Sequence, residues 1–175
     1  LMNYSGLHQG TYYPIGGFHE IIVALSKLAT EKGVVINYNS VVENISVSNN
    51  KVDNITVNGD QFEFDGVVAA ADYHHVEQFL IDKKYRNYNS EYWEKREMAP
   101  SSLLFYVGVD KKLKNVHHHN LFFDEDFDQH AKEIYDEPNW PKNPLFYLSC
   151  PSITDASVAP KGKENLMFLI PLAPG

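Results

Sequence analysis

The chain has 175 residues, 43% of them apolar and 22% charged, which suits one domain or two small ones with a real core and excludes wholesale disorder. Its formal charge is −8, from 15 basic and 23 acidic residues with no basic stripe, which argues against a nucleic-acid binder held by phosphate contacts. A single cysteine, Cys150, excludes an internal disulfide and a Cys-rich zinc site, and no run approaches the ~20 apolar residues of a membrane helix.

Residues 1–10 are polar and lack a basic start, so they do not read as a signal peptide. After Gly16-Gly17, the residues Phe18, Ile21, Ile22, Leu25, Leu28 and Ala29 recur at helical spacing. Glu20 in the first turn and Lys27 and Lys32 near the end suit the helix dipole, and Gly33 is a natural stop. Val34-Val35-Ile36 then predicts a short buried strand. Between 41 and 64 the period changes to two, with Asn49-Asn50 and Asn58-Gly59-Asp60 as turns, which predicts a three-stranded antiparallel meander. The uniformly apolar Val67–Ala71 predicts a strand covered on both faces, and 74–81 a short helix. The charged, Tyr-rich stretch 82–99 reads as a crossing between two subregions. Beyond it, strands are predicted over 102–109, 145–149 and 166–171, a helix over 126–135, and irregular chain over 136–144, which carries three prolines. The order of helix, strand, meander and strand looks like the second half of a nucleotide-binding sheet with a β-meander inserted. The chain begins Leu1-Met2 in a polar stretch and stops at Pro174-Gly175 directly after an apolar run, as a piece of a longer protein would.

Several residues could carry chemistry. His117-His118-His119 offers imidazoles, but neighbours in a strand point to opposite faces and the spacing fits no standard metal motif, so no metal is expected. Gly16-Gly17 before a helix either seats an anion on free N–H groups or is a structural turn. No GxGxxG or Walker A loop supplies a phosphate cradle. Asp72, after the apolar run, either caps the next helix or lies near a site, where cofactors sit at the carboxyl ends of such strands. Cys150 lacks basic neighbours and reads as an inert core or loop thiol, and Asp124 to Asp128 as a solvated surface.

Taken together, several segments resemble the phytoene desaturase-type flavoproteins, carotenoid desaturases of the FAD-dependent amine-oxidase-like superfamily. Gly10–Phe18 is similar to that family's G-x-x-y-P-x-G-G entry to a helix, and Gly33–Ile36 to its following strand. Asn39–Ile45 resembles an n-x-x-V-x-x-I segment, and Asp65–Asp72 an a-D-x-V-V-x-n-a-D segment, with Ala70 where asparagine is common. Ser101–Val109 and His118–Phe123 resemble two strands of the family, and Pro151–Gly162 its P-S-x-x-D-x-S-x-A-P-x-G motif, the most specific of these.

The resemblance implies an α/β plus antiparallel β fold. Residues 15–83 would be the middle part of an FAD/NAD(P)-binding flavoprotein fold with its meander insertion. Residues 1–14 and 84–175 would be part of a substrate-binding domain, an antiparallel sheet over an apolar tunnel. It implies FAD in the full-length protein, with little affinity in this stretch alone, and contacts to it from Val42, through its backbone beside the adenine, and from Ala71. It names no catalytic side chain. The implied reaction is desaturation of an apolar polyene, phytoene or a related carotenoid precursor. The implied place is the cytoplasm, peripheral on the inner face of the membrane, with no nucleic-acid partner. The charge of −8 speaks against this stretch gripping anionic lipid. Alternatives are an amine oxidase, a carotene isomerase or a retinol saturase-like relative, or a non-catalytic module that binds an apolar ligand.

Overall fold

A computed structural model describes residues 2–174. Its contacts divide the chain into two compact units, Leu1–Val34 with Met98–Gly175, and Val35–Glu97. The second cut lies inside the stretch read as a crossing; the first places the helix after Gly16-Gly17 with the C-terminal half.

The unit Val35–Glu97 is built on the meander, β1 Val42–Ser48, β2 Lys51–Val57 and β3 Asp60–Glu63, paired antiparallel in that order. Its turns demand positive φ at both central residues, and Asn tolerates that region better than any residue but Gly. Asn49 and Asn50 stand at φ 50 and 59, Asn58 and Gly59 at 50 and 86. The inward side chains meet a helical segment, where Asp72 accepts the His75 N–H and so caps α3, Tyr73–His75. The chain winds on as a π-helical turn over Val76–Leu80. Ile45, Val76 and Leu80 form the core, with Val42, Val52, Ile55, Val67 and Ile81 packed on it. Glu77 is buried beneath the stretch that follows. Its carboxylate accepts the N–H groups of Asn87 and Tyr88, the indole N–H of Trp93 and the Tyr73 hydroxyl. Asn89 then caps α4, Ser90–Lys95.

The other unit holds α1, Met2–Gln9, α2, His19–Glu31, and a four-stranded antiparallel sheet. Its strands are β4 Ser101–Val109, β5 His119–Phe122, β6 Phe146–Ser149 and β7 Glu164–Leu172, in the order β4-β7-β6-β5. Asp126 caps α5, Phe127–Tyr135, between β5 and β6. Leu148, Cys150 and Leu166 form the core.

Two expectations are corrected. Val34–Ile36 and Val67–Ala71 are not strands, and no parallel nucleotide-binding sheet forms among the described residues, whose two sheets are both antiparallel. Val35 and Val68 are 79% and 95% exposed. β-Branched composition sets backbone preference, but a strand exists only where a second edge takes its N–H and C=O groups. The amphipathic α2 forms as predicted and stops at Gly33, φ 86, yet none of its residues is buried. No described helix is long and apolar enough to cross a membrane.

Candidate functional site

Alternation along the four-stranded sheet sorts its side chains cleanly. Phe105 stands opposite Phe168, and Phe168 opposite Leu148; Leu103 and Val107 stand opposite Ile170 and Leu166. Because opposed residues share a face, one side of the sheet becomes a continuous apolar surface. It floors a groove of about 610 Å³, with Phe105, Val107, Phe146, Phe168 and Ile170 below and Asp124, Glu125 and Lys142 on the rim. The rings are ordered against one another, Phe122 on Phe146 at 4.4 Å and Phe146 on Phe168 at 5.9 Å. Phe105 is nonetheless 49% exposed, so its own unit leaves this surface open. Asp124 and Glu125, read from the sequence as plain solvated surface, edge the groove.

On the opposite side α5 packs against the sheet through His130. Nδ1 accepts the Leu145 N–H at 3.1 Å, so Nε2 carries the proton and donates to the Pro171 carbonyl, also at 3.1 Å. The ring is a neutral clip between helix and sheet.

The glycine turn resolves the choice left open by the sequence. Gly16 and Gly17 stand at φ 93 and 97, and a Cβ on Gly16 would meet Glu20 Cγ at 2.8 Å. The turn is structural, and its donor does meet an anion, the chain's own: Gly16 N–H donates to Asp155 Oδ2 at 2.7 Å. Asp155 also accepts the Ser157 hydroxyl and N–H, at 2.6 and 2.9 Å. The Ser157 hydroxyl first, then the Gly16 N–H, hold this carboxyl below its ordinary range. Two of the sequence motifs, Gly10–Phe18 and Pro151–Gly162, are thus halves of one clasp.

The histidines lie beside that clasp. Tyr13 packs edge-on to His118 at 4.7 Å, and His118 Nδ1 meets the Thr154 hydroxyl at 2.6 Å. His119 Nδ1 meets the Tyr147 hydroxyl at 2.6 Å. Burial, then the neighbouring His119, lower the His118 pKa. Among the described residues no three His, Cys, Asp or Glu side chains come together as metal ligands.

Cys150 is fully buried, and burial pushes its thiol up. Beside it lies Glu164, 2% exposed, which accepts the Ser152 hydroxyl and pairs with Lys112 at 3.2 Å. Burial alone would raise Glu164; Ser152 and Lys112 outweigh it and the carboxyl stands low. Sequence reading missed Glu77, His130 and Glu164, because nothing in a chain distinguishes a buried polar group from a solvated one.

Of the two residues expected at the cofactor, Val42 opens β1 opposite Val57 and packs on the Ile45 core. Ala71 is exposed at a bend shortly before α3. Both belong to the unit Val35–Glu97.

This chain belongs to the flavin containing amine oxidoreductase family, whose model matches residues 1–170. It is 41% identical to a carotenoid 3,4-desaturase of Haloarcula japonica across 100% of this chain and 35% of that protein. To a zeta-carotene-forming phytoene desaturase of Myxococcus xanthus it is 32% identical, over 98% of this chain and 33% of the relative. To a phytoene desaturase of Fusarium fujikuroi it is 30% identical, over 98% and 30%. The chain therefore spans about a third of the length of the curated relatives it matches.

Proposed function

We propose that this chain is the central part of a longer FAD-dependent oxidoreductase that desaturates a polyene, phytoene or a related carotenoid precursor. The observation that carries the reading is the match of the whole chain, in order, to carotenoid desaturases. The open apolar groove supports it, since a polyene has no polar group to be recognised and is held by area alone.

In this reading residues 15–83 belong to the FAD-binding domain, and 1–14 and 84–175 to the substrate-binding domain. The exposed face of α2 and the unpaired runs Val34–Ile36 and Val67–Ala71 are then surfaces that the rest of a flavoprotein sheet covers. Val42 offers its backbone to the adenine, and Ala71 lies at the cofactor end of its run. The Gly16 donor is already taken by Asp155, so the pyrophosphate is held by other parts of the protein and this stretch alone binds FAD weakly.

Desaturation forms one C=C bond as two hydrogens leave adjacent carbons, one as hydride and one as a proton. FAD, when bound, supplies the hydride acceptor. The residues of this chain hold the polyene: Phe105, Phe146 and Phe168 exclude water and align it along the sheet. The protein works at the inner face of the cytoplasmic membrane, where such a substrate dissolves. The test is to purify the full-length protein, record its flavin spectrum and supply phytoene in vesicles. Flavin absorption and a coloured, more unsaturated product are expected; an intact, flavin-loaded protein that leaves phytoene, lycopene and hydroxylated carotenes unchanged overturns the reading.

A further inference from the structure

A second concave site, far smaller and of opposite character, lies in the unit Val35–Glu97. It has a volume of about 250 Å³ and is walled by Lys83, Arg86, Ser90, Tyr88, Tyr92 and the adjoining asparagines, with no carboxylate in its lining. Three acids nearby have partners. Asp82 accepts the Lys84 N–H at 3.1 Å, Glu91 pairs with Lys95 at 2.6 Å, and Glu77 is buried and saturated by Asn87, Tyr88 and Trp93.

The cations are less occupied. Arg86 is steadied by two bonds, Nε to the Ile81 carbonyl at 3.0 Å and Nη1 to Gln78 at 3.3 Å, which leaves Nη2 available. Lys83 is exposed and forms no ion pair among the described residues. A held guanidinium, a free ammonium and a serine hydroxyl around a space of this size are the donors that a phosphate group takes. Tyr88 and Tyr92 stack at 4.1 Å on the same wall, and Tyr88 is 39% exposed. Rings with a wet hydroxyl end are the side chains that settle at the headgroup level of a bilayer.

We infer that the pocket bounded by Lys83, Arg86, Ser90 and the Tyr88–Tyr92 stack binds the phosphate of an anionic lipid headgroup. The choice of a lipid over a free phosphate rests on the polyene reading, because a membrane-dissolved substrate requires its enzyme at the bilayer. The net charge of −8 averages over the whole chain and conceals this patch. Binding against that background is local and sensitive to salt.

The experiment is co-sedimentation of the full-length protein with vesicles of phosphatidylcholine alone and with phosphatidylglycerol added, at low and high salt. The protein pellets with the anionic vesicles at low salt only. Lys83→Glu, a change of two charges, weakens that binding by about tenfold or more and, separately, Ser90→Glu, which adds one, by about fivefold. Lys51→Glu, the same charge change elsewhere in this unit, leaves it within about twofold. Two variants guard against a folding defect, and both keep the melting temperature of the parent. Equal binding to the two vesicle types, or Lys83→Glu and Ser90→Glu proteins that bind like the parent, overturns the inference. So does release by millimolar inorganic phosphate at constant ionic strength, which marks a site for soluble phosphate. Conversion of phytoene, lycopene and hydroxylated carotenes is read separately in detergent without anionic lipid; its absence with all three overturns the polyene reading and leaves the vesicle result to judge the headgroup site.

Discussion

Glu77 shows how one side chain can organise a unit. It is 2% exposed and joins the π-helical turn to residues 87–93 through three donors, with the Tyr73 hydroxyl as a fourth. Burial pushes its pKa up, but the Asn87 and Tyr88 N–H groups, Trp93 and Tyr73 together pull it down further, and the net displacement is downward. A carboxyl whose folded pKa is depressed contributes stability that is complete above its unfolded pKa, about 4.3. That contribution is lost as the pH falls through the folded value. Glu164 and Asp155 act in the same direction. Melting temperature should therefore fall steeply below about pH 4, after a shallower decline that begins below about pH 6.5, where the unfolded chain protonates His118 more readily than the folded one. Glu77→Gln should cost about 1–3 kcal/mol at neutral pH and flatten the acid limb. An unchanged limb in that variant would show that other groups set it. Cys150 offers a second check, since its sulfur is wholly enclosed and its thiolate disfavoured. Labelling by a maleimide should proceed only at the rate of unfolding; labelling within seconds in native buffer contradicts the burial.

At the scale of elements, the proposed adenine contact is separable from strand stability. In the full-length protein Val42→Ala should keep its flavin at a cost of about 1 kcal/mol of packing. Val42→Pro deletes the N–H and should release flavin beyond what its lower melting point explains. Flavin occupancy and apo-protein melting measured together decide it: full occupancy in the proline variant, or loss only with global unfolding, defeats the assignment. The elements themselves were largely legible in sequence. The meander followed from a largely alternating pattern plus two Asn turns that accept positive φ, and α2 from its apolar spacing and Gly33. The β4 strand was legible from Leu103, Phe105, Val107 and Val109 on one side, and β7 from its short apolar run. Val34–Ile36 and Val67–Ala71 were read as strands because composition reports a preference while pairing depends on a distant edge. The clasp could be recognised as two motifs but not as one contact, since 139 residues separate Gly16 from Asp155. Helix α1 carried no apolar period at all.

For the whole molecule, division into Leu1–Val34 with Met98–Gly175 and Val35–Glu97 predicts that damage stays local. Glu77→Gln should raise amide exchange throughout 35–97 and leave the four-stranded sheet protected; uniform loss of protection would mean one cooperative unit. The clasp also imposes an order in time. A ribosome makes about 5–20 residues per second, so the 139 residues from Gly16 to Asp155 take roughly 7–28 s to appear. Throughout that interval the glycine turn lacks the carboxylate that accepts its N–H, and β4 lacks its partner β7, Glu164–Leu172. The unit Val35–Glu97 draws its sheet and core from residues already made, and can close while the rest waits. Of these two units, Val35–Glu97 is therefore complete first as this stretch is synthesised, and the apolar strand β4 stays without its neighbour until β7 emerges.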